Sequence, residues 1–264
     1  MTGPLRQSPP YGVILETRNL SRFFGEMAAL SMVNLSIKEK EITSLIGPNG
    51  AGKTTFYNAI TGRFPPSSGT ILFKGKDITG LPPHKIVKHG IGRSFQITSI
   101  FKGLTILENV RAAVIARSPA RMNLFTPVES SRALYDQSMH YLRLIGLEEK
   151  KDHLCSTLSH GDMRTVEIGI TLATEPNLIL LDEPTQGMTP EETKRMVNLI
   201  KDLSNQTKTT FFIIEHDMNV VFSISDRIVV LYYGSILADG KPDEIRANRK
   251  VKEAYLGGLT DAEG

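Results

Sequence analysis

A glycine-rich loop constrains this chain more than any other feature. The loop follows the apolar run Ile42–Ile46 and leads into a segment with helical character, Thr55–Ile60. A P-loop binds phosphates in this order of strand, loop and helix, because glycines let backbone N–H groups converge on an anion and the helix adds its positive end. The predicted nucleotide-binding residues are Gly47, Pro48, Asn49, Gly50, Ala51, Gly52, Lys53, Thr54 and Thr55.

Two side chains of this loop carry the chemistry that a nucleoside triphosphate needs. Lys53 can reach the terminal phosphates, and the hydroxyl of Thr54 can hold Mg²⁺. The competing interpretation is a glycine-rich turn matched by chance. It is disfavoured because every fixed position is filled and both flanks have the expected pattern. The sequence therefore predicts binding of ATP with Mg²⁺, but the loop alone does not indicate what the nucleotide is used for.

Composition narrows the class of protein. With 31 basic and 28 acidic residues the net charge is only +3, too weak for a nucleic-acid footprint. Cys155 is the single cysteine, so no internal disulfide forms, and we expect a buried filler in a reducing compartment. No apolar run approaches the ~20 residues of a membrane-spanning helix, and the proline-containing start lacks the apolar centre of a secretory signal. These features predict a cytoplasmic protein.

The order of apolar patterns predicts an α/β fold. Alternating or nearly alternating runs at Val13–Leu20 and Met32–Ile37 indicate N-terminal strands, and a continuous apolar run such as Leu178–Leu181 indicates a strand covered on both faces. Between residues 105 and 158 the pattern is helical. We therefore predict a P-loop NTPase of the RecA-like type, with a mostly parallel sheet, an N-terminal antiparallel β portion and an all-helical insert.

The same patterns predict how the chain is divided. Several prolines mark a flexible leader, and the helical run interrupts an α/β alternation that resumes after it. The predicted segments are a leader at 1–12, a nucleotide-binding core at 13–96 and 163–245, a helical subdomain at 97–162, and a C-terminal helix and tail at 246–264.

Two adjacent carboxylates end a predicted buried strand. Asp182 and Glu183 follow the run Leu178–Leu181. At such a strand end Asp182 is placed to hold Mg²⁺ through water, and Glu183 is placed to act as general base on an attacking water. Without the P-loop, a charged strand end facing solvent would be the preferred interpretation. Beside a complete P-loop, the catalytic interpretation is favoured.

A third segment makes the combination recognisable. The chain resembles the ATP-binding subunits of ABC transporters, whose signature reads Leu-Ser-Gly-Gly-Gln. Leu158, Ser159 and Gly161 match this signature, whereas His160 and Asp162 depart from it. Ser159 is also a candidate N-cap for the helix that follows. The resemblance implies that Ser159 and Gly161 contact the γ-phosphate of an ATP molecule held by a second subunit.

The resemblance implies roles for three further side chains. Gln96 stands where the family has a glutamine that touches Mg²⁺ and water, and His216 matches the histidine that contacts the γ-phosphate. Phe24 stands where an aromatic ring stacks on adenine. Phe23 would point the other way on an extended strand, so one of the two is expected to lie in the core. The implied catalytic residues are Glu183, His216 and Gln96, and the implied metal ligands are Thr54, Gln96 and Asp182.

One departure narrows the resemblance. Thr189 stands where most of the superfamily has an aspartate, which leaves one cross-subunit contact open. Together with residues 92–97, 104–110 and 253–257, this makes the chain similar to the ATPases of branched-chain amino acid and urea-type importers.

The resemblance implies a concrete function. The chain is expected to bind and hydrolyse ATP and so power uptake of branched-chain amino acids, or a related small polar solute, through a separate permease. The implied partners are a second ATPase subunit, identical or homologous, the permease subunits and, indirectly, a solute-binding protein, with no nucleic acid. The implied location is the inner face of the cell membrane. The alternative is a non-transport ABC ATPase acting on nucleic acid or ribosomes, which the weak net charge and the lack of sustained heptads in the insert disfavour.

Overall fold

The computed structural model describes residues 12–93, 100–118 and 132–260. Two compact units make up the chain. Unit 1 comprises the residues up to His89 together with those from Thr210 onward, and unit 2 runs from Gly90 to Thr209. The predicted leader, apart from Gly12, lies outside the described residues, and the predicted functional segments stay predictions. In the part of the chain that is described, no helix is long and apolar enough to cross a membrane.

Unit 1 begins with an antiparallel sheet. Its strands are β1 (Val13–Phe24), β2 (Met27–Lys38), β4 (Ser68–Phe73) and β5 (Lys76–Asp77), in the order β2-β1-β4-β5. Both β1 and β2 are longer than the predicted strands. Asn19 and Met32 lie at irregularities of the β1–β2 register, each with a φ of 48°. Such bulges shift the alternation of side chains, and that alternation was the signal for the predicted strand ends.

Parallel strands form the second sheet region of unit 1. Its strands are β3 (Ile42–Ile46), β8 (Thr210–Ile214), β9 (Arg227–Tyr232) and β10 (Ser235–Gly240), in the order β10-β9-β3-β8. β3 pairs in parallel with β8 and β9, whereas β10 is antiparallel. Every residue of β3 and β8 is buried, as their continuous apolar runs predict.

The described residues of unit 1 form five helices: α1 (Lys53–Ile60), α2 (Pro83–Lys88), α7 (Met218–Ile224), α8 (Pro242–Ala247) and α9 (Arg249–Thr260). One apolar cluster joins β3 and β9 to the last three of these helices. Its buried members are Ile46, Val221, Ile228, Val230, Ile245 and Val251. The C-terminal helices are therefore anchored on the strand that leads into the P-loop.

Unit 2 contains the predicted helical insert. Parallel strands β6 (Ile91–Arg93) and β7 (Leu178–Asp182) are accompanied by α3 (Ile106–Arg117), α4 (Arg132–Leu144), α5 (His160–Ala173) and α6 (Pro190–Gln206). Cys155 is fully buried, as expected, and the Asn109 amide donates to its sulfur at 3.3 Å. Burial raises the pKa of this thiol.

Candidate functional site

The surrounding backbone leaves no room for a side chain at two glycines of the P-loop, Gly47 and Gly52. A Cβ atom on Gly47 would lie 2.2 Å from the Leu231 carbonyl oxygen, and one on Gly52 would lie 2.4 Å from that of Ala29. Real Cβ atoms do not approach other atoms so closely. Gly52 also has a φ of 103°, which favours glycine. The loop is thus packed against β9 and β2 of its own unit, which fixes the path of its backbone.

Helix α1 begins at the loop with its N–H groups uncapped by side chains. The N-cap is Gly52, no side-chain cap is made, and the first turn holds no acidic residue. The first N–H groups of a helix have no partner within the helix, and its dipole favours an anion there. This chemistry fits a phosphate group.

Lys53 places a positive charge at the start of α1. It is the first residue of α1, it is buried, and its Nζ donates to the carbonyl oxygens of Gly47 at 2.7 Å and Pro48 at 3.0 Å. The ammonium group therefore lies over the loop that was predicted to hold phosphates. The hydroxyl-bearing Thr54 follows it and is exposed.

His216 lies at the same edge of the sheet as the P-loop. β8 ends at Ile214 and pairs in parallel with β3, so the segments after both strands leave the sheet on one side. The buried Glu215 carboxylate accepts from the backbone N–H of His216 at 2.8 Å, and Asp217 caps α7. His216 itself is exposed between these two fixed residues. Unit 1 thus brings together the P-loop and His216.

The pair Phe23 and Phe24 corrects one prediction. Neither ring lies in the core, because Phe23 is 46% and Phe24 44% exposed at the end of β1. The Phe24 ring contacts the edge of Phe64, with centroids 5.8 Å apart, and the Arg22 guanidinium lies 4.8 Å from the Phe24 centroid. The strand continues through these residues into a hairpin, so both rings lie at the end of the sheet and stay about half exposed. Phe64 and Arg22 support the Phe24 ring, and its stacking on adenine stays a prediction.

A tyrosine of the C-terminal helix reaches the P-loop, which sequence reasoning missed. The Tyr255 hydroxyl lies beside the Gly47 N–H. Burial raises the pKa of Tyr255 to about 12, and the nearby Gly47 N–H partly opposes this shift. Residues 253–257 had only marked a subfamily resemblance. Nothing in a helical pattern near the end of a chain indicates contact with a loop two hundred residues earlier.

In unit 2, the two predicted carboxylates occupy the end of β7. Asp182 is the last residue of the strand and is buried. Glu183 follows with a φ of 49°, in the left-handed region that residues other than glycine rarely adopt. The Gln186 N–H donates to the Glu183 carbonyl oxygen at 3.2 Å and closes the turn.

The signature segment opens α5. Ser159 is its N-cap, and the Ser159 hydroxyl accepts from the Asp162 N–H at 3.1 Å. The predicted capping role of Ser159 is thereby confirmed. Asp162 also pairs with Lys150 at 2.6 Å, whereas His160 is exposed. The two departures from the family signature therefore have different surroundings, since one is engaged in the helix start and the other faces solvent.

Thr189 has a structural role at the start of α6. Its hydroxyl accepts from the Glu192 N–H, and the Glu192 carboxylate accepts from the Thr189 N–H at 3.1 Å, which together form a capping box. Threonine is therefore suited to this position for a local reason. Gln96 lies outside the described residues.

Comparisons with known protein families and sequences match the chain to ABC transporters. The ABC transporter family profile matches residues 30–186, and a profile described as "Branched-chain amino acid ATP-binding cassette transporter" matches residues 235–259. The high-affinity branched-chain amino acid transport ATP-binding protein BraF of Pseudomonas aeruginosa is 42% identical over 249 residues, covering 92% of this chain and 98% of the relative. LivG of Escherichia coli, with the same description, is 41% identical over 252 residues, with the same two coverages.

Solved structures that resemble the chain are likewise cassettes of ABC transporters. An ATP-binding cassette of an ABC transporter in its ADP conformation is 33% identical, with a TM-score of 0.82 over 93% of this chain and 99% of that one. A dimeric bacterial ABC transporter cassette is 29% identical, with a TM-score of 0.73 over 87% of this chain and 99% of that one. The chain belongs to the ABC transporter ATP-binding family, and the predicted fold class is confirmed. It is an ATPase cassette of that family.

Proposed function

We propose that the chain powers an importer of branched-chain amino acids, or of a related small polar solute, by hydrolysing ATP. The observation that carries this proposal is the combination of a complete P-loop with a C-terminal segment matched by the branched-chain amino acid transporter profile. The names of BraF and LivG support the same solute class, because these relatives match nearly the whole chain.

The P-loop side of the site binds the nucleotide. Lys53 and the N–H groups at the start of α1 hold the phosphates, with Gly47, Pro48, Asn49, Gly50, Ala51, Gly52, Thr54 and Thr55 forming the rest of the loop. Phe24 stacks on the adenine ring. The fit is supported by the uncapped, acid-free start of α1 and by the half-exposed Phe24 ring.

Hydrolysis needs a base, a contact to the γ-phosphate and a metal. Glu183 polarises the attacking water, and His216 contacts the γ-phosphate. Thr54, Gln96 and Asp182 would hold Mg²⁺, which supplies neutralisation of phosphate charge when bound. The Thr54 hydroxyl and the Asp182 carboxylate are oxygen donors, which suit Mg²⁺, an ion that also keeps several waters and the phosphates of the nucleotide.

Ser159 and Gly161 complete the site for a second cassette. In this proposal they approach the γ-phosphate of ATP held by the partner, which is a copy of this chain or a homologous subunit. The dimeric ABC cassette among the solved structures supports such a partner. Membrane permease subunits and, indirectly, a solute-binding protein are the further partners, which puts the chain at the inner face of the cell membrane.

An apolar surface of unit 2 suits a protein partner. Phe101 is 63%, Leu154 45% and Leu104 37% exposed, and the Cys155 N–H donates to the Leu104 carbonyl oxygen at 3.0 Å, which places the last two side by side. Clustered exposed apolar side chains mark interaction sites. Because the described residues lack a membrane-spanning helix, a permease that contacts such a surface would link the cassette to the bilayer.

Transport in a reconstituted system tests this function. The chain is assembled with its permease subunits in lipid vesicles and supplied with ATP, a solute-binding protein and labelled leucine. We expect uptake with wild-type protein and none with Glu183→Gln, although the variant still binds ATP. The alternative function is tested in parallel by binding to DNA and RNA at physiological salt. Tight nucleic-acid binding without assembly on a permease would contradict the proposal.

A further inference from the structure

A carboxylate from α6 occupies the start of the signature helix. The carboxylate of Glu192, on the first turn of α6, accepts from the Thr189 N–H at 3.1 Å and lies against the Ser159 hydroxyl and Gly161. The Thr189 N–H and then the Ser159 hydroxyl hold the pKa of the Glu192 carboxyl below its usual range, so it is ionised at neutral pH. The start of α5 thus has an anion against it that belongs to the same chain.

The glycine at position 161 leaves room for this contact. A Cβ atom on Gly161 would lie 2.9 Å from Glu192 Oε1 and 3.0 Å from its Cδ. Any side chain at this position would push the carboxylate away from the helix start. The close approach therefore provides a local reason for Gly161 that is independent of nucleotide.

The donors that Glu192 lies against coincide with those that the proposed function assigns to ATP. The Ser159 hydroxyl and the Gly161 N–H are the two groups expected to meet the γ-phosphate of the second cassette. A carboxylate and a phosphate are both anionic acceptors that favour a helix N-terminus. One hydroxyl proton and one N–H cannot satisfy both anions at full strength.

We propose that Glu192 is an internal competitor of ATP at the signature helix, and that it must leave the Ser159 hydroxyl and the Gly161 N–H when two cassettes close on the nucleotide. This inference rests on the proposed function. It assigns to α6 a regulatory part: the carboxylate satisfies the signature donors in the separated subunit and raises the ATP concentration needed for closure.

A cavity beside Glu192 can accept the displaced carboxylate. A cavity of about 190 Å³ beside Glu192 is also lined by Arg195, Lys150 and Asp162. Lys150 is paired with Asp162, whereas Arg195 is exposed three residues along α6 from Glu192. Residues three apart on a helix face each other, so a rotated Glu192 side chain can pair with the Arg195 guanidinium.

The test measures how much ATP closes the dimer. The parent is Glu183→Gln, in which bound ATP is not hydrolysed, and the readout is the ATP concentration that gives half-maximal dimer by analytical ultracentrifugation. Adding Glu192→Ala is expected to lower this midpoint about fivefold, the equivalent of one exposed ionic contact. Adding Glu191→Ala, which removes an exposed acidic neighbour from the same turn, is expected to leave it within about twofold.

A second variant controls for the loss of the capping box between Thr189 and Glu192. Glu192→Gln keeps a neutral acceptor for the Thr189 N–H. It is expected to lower the midpoint by a smaller factor than Glu192→Ala does. If Glu192→Ala does not fold, as judged by its thermal melt, Glu192→Gln decides alone. If the Glu183→Gln parent dimerises with ATP, an unchanged or raised midpoint in the Glu192 variants overturns the inference, because Glu192 would then have no effect on closure or would assist it. A parent that forms no dimer at any ATP concentration instead refutes the proposed function, and the inference falls with it.

Discussion

Two helices of this chain begin at predicted phosphate-binding positions, and the surroundings of their first N–H groups differ. At the start of α1 the N-cap is Gly52, with no side-chain cap and no acidic residue in the first turn. At the start of α5, Ser159 caps the helix, Asp162 lies in its first turn, and the Glu192 carboxylate approaches from another helix.

This difference suggests how one fold divides two tasks. The start of α1 carries a cation, Lys53, and no internal anion, which suits tight and lasting capture of a nucleotide. The start of α5 is already neutralised by groups of its own chain, which suits a contact that forms only on closure. Changes on the α1 side should therefore alter ATP affinity of the single subunit, whereas changes on the α5 side should alter dimer closure alone.

The largest expected effect is that of Lys53→Ala on nucleotide affinity. The substitution removes a charged donor to the phosphates, so ATP should bind more weakly by about 2 kcal/mol, roughly thirtyfold. Isothermal calorimetry on the single subunit measures this directly. Lys76→Ala, at an exposed lysine of β5, is the control and should bind as wild type does. Unchanged affinity in Lys53→Ala would remove this residue from the site.

Phe24→Ala should have the next largest effect, again on the single subunit. Stacking of a base on an aromatic ring is worth about 1–3 kcal/mol, and the half-exposed Phe24 ring should lie toward the lower end, so calorimetry should show weaker binding of ATP and ADP alike. The neighbouring Phe23→Ala is a matched control, because its ring is equally exposed. If Phe23→Ala weakens binding more than Phe24→Ala, the adenine lies against the other ring.

On the α5 side, Ser159→Ala should harm activity more than His160→Gly. Ser159→Ala removes a hydrogen bond to phosphate, worth about 1 kcal/mol or more, whereas His160→Gly restores the commoner signature residue. ATPase activity of the assembled transporter, measured from about pH 6 to 8, separates the two. Both variants should bind ATP normally as single subunits. If His160→Gly is more harmful at every pH, then the exposed imidazole takes part in the site.

The smallest expected effect is that of Tyr255→Phe. Removing the hydroxyl takes away the polar group that α9 places beside the Gly47 N–H, at a cost of about 1 kcal/mol. We expect KM for ATP to rise about fivefold with kcat unchanged, because the hydroxyl positions the loop and does not touch the reacting atoms. Tyr233→Phe, at a tyrosine that is 71% exposed, should leave both constants unchanged. A fall in kcat alone would contradict a positioning role.

Sequence patterns predicted those parts of the molecule that depend on neighbours along the chain. The P-loop, the buried strands β3 and β8 and the Ser159 cap are local, since each is specified by residues a few positions apart. The early strand ends were wrong because bulges at Asn19 and Met32 shift the alternation of side chains.

Contacts between distant segments could not be predicted in the same way. The reach of Tyr255 to Gly47 and that of Glu192 to Ser159 depend on how helices pack, which spacing along the chain does not encode. The exposure of both Phe23 and Phe24 likewise depends on whether a layer covers the end of β1. The roles of Glu183, His216, Phe24 and the metal ligands stay predictions, and Gln96 lies outside the described residues.

Mixing two defective variants tests most directly whether the two helix starts act on one ATP from different subunits. Lys53→Ala impairs only the α1 side and Ser159→Ala only the α5 side, so a mixed dimer contains one composite site with both sides intact. At constant total protein, we expect the mixture to hydrolyse ATP faster than either variant alone. A rate equal to the mean of the two variants would contradict the account, because each subunit would then be using its own signature helix or none.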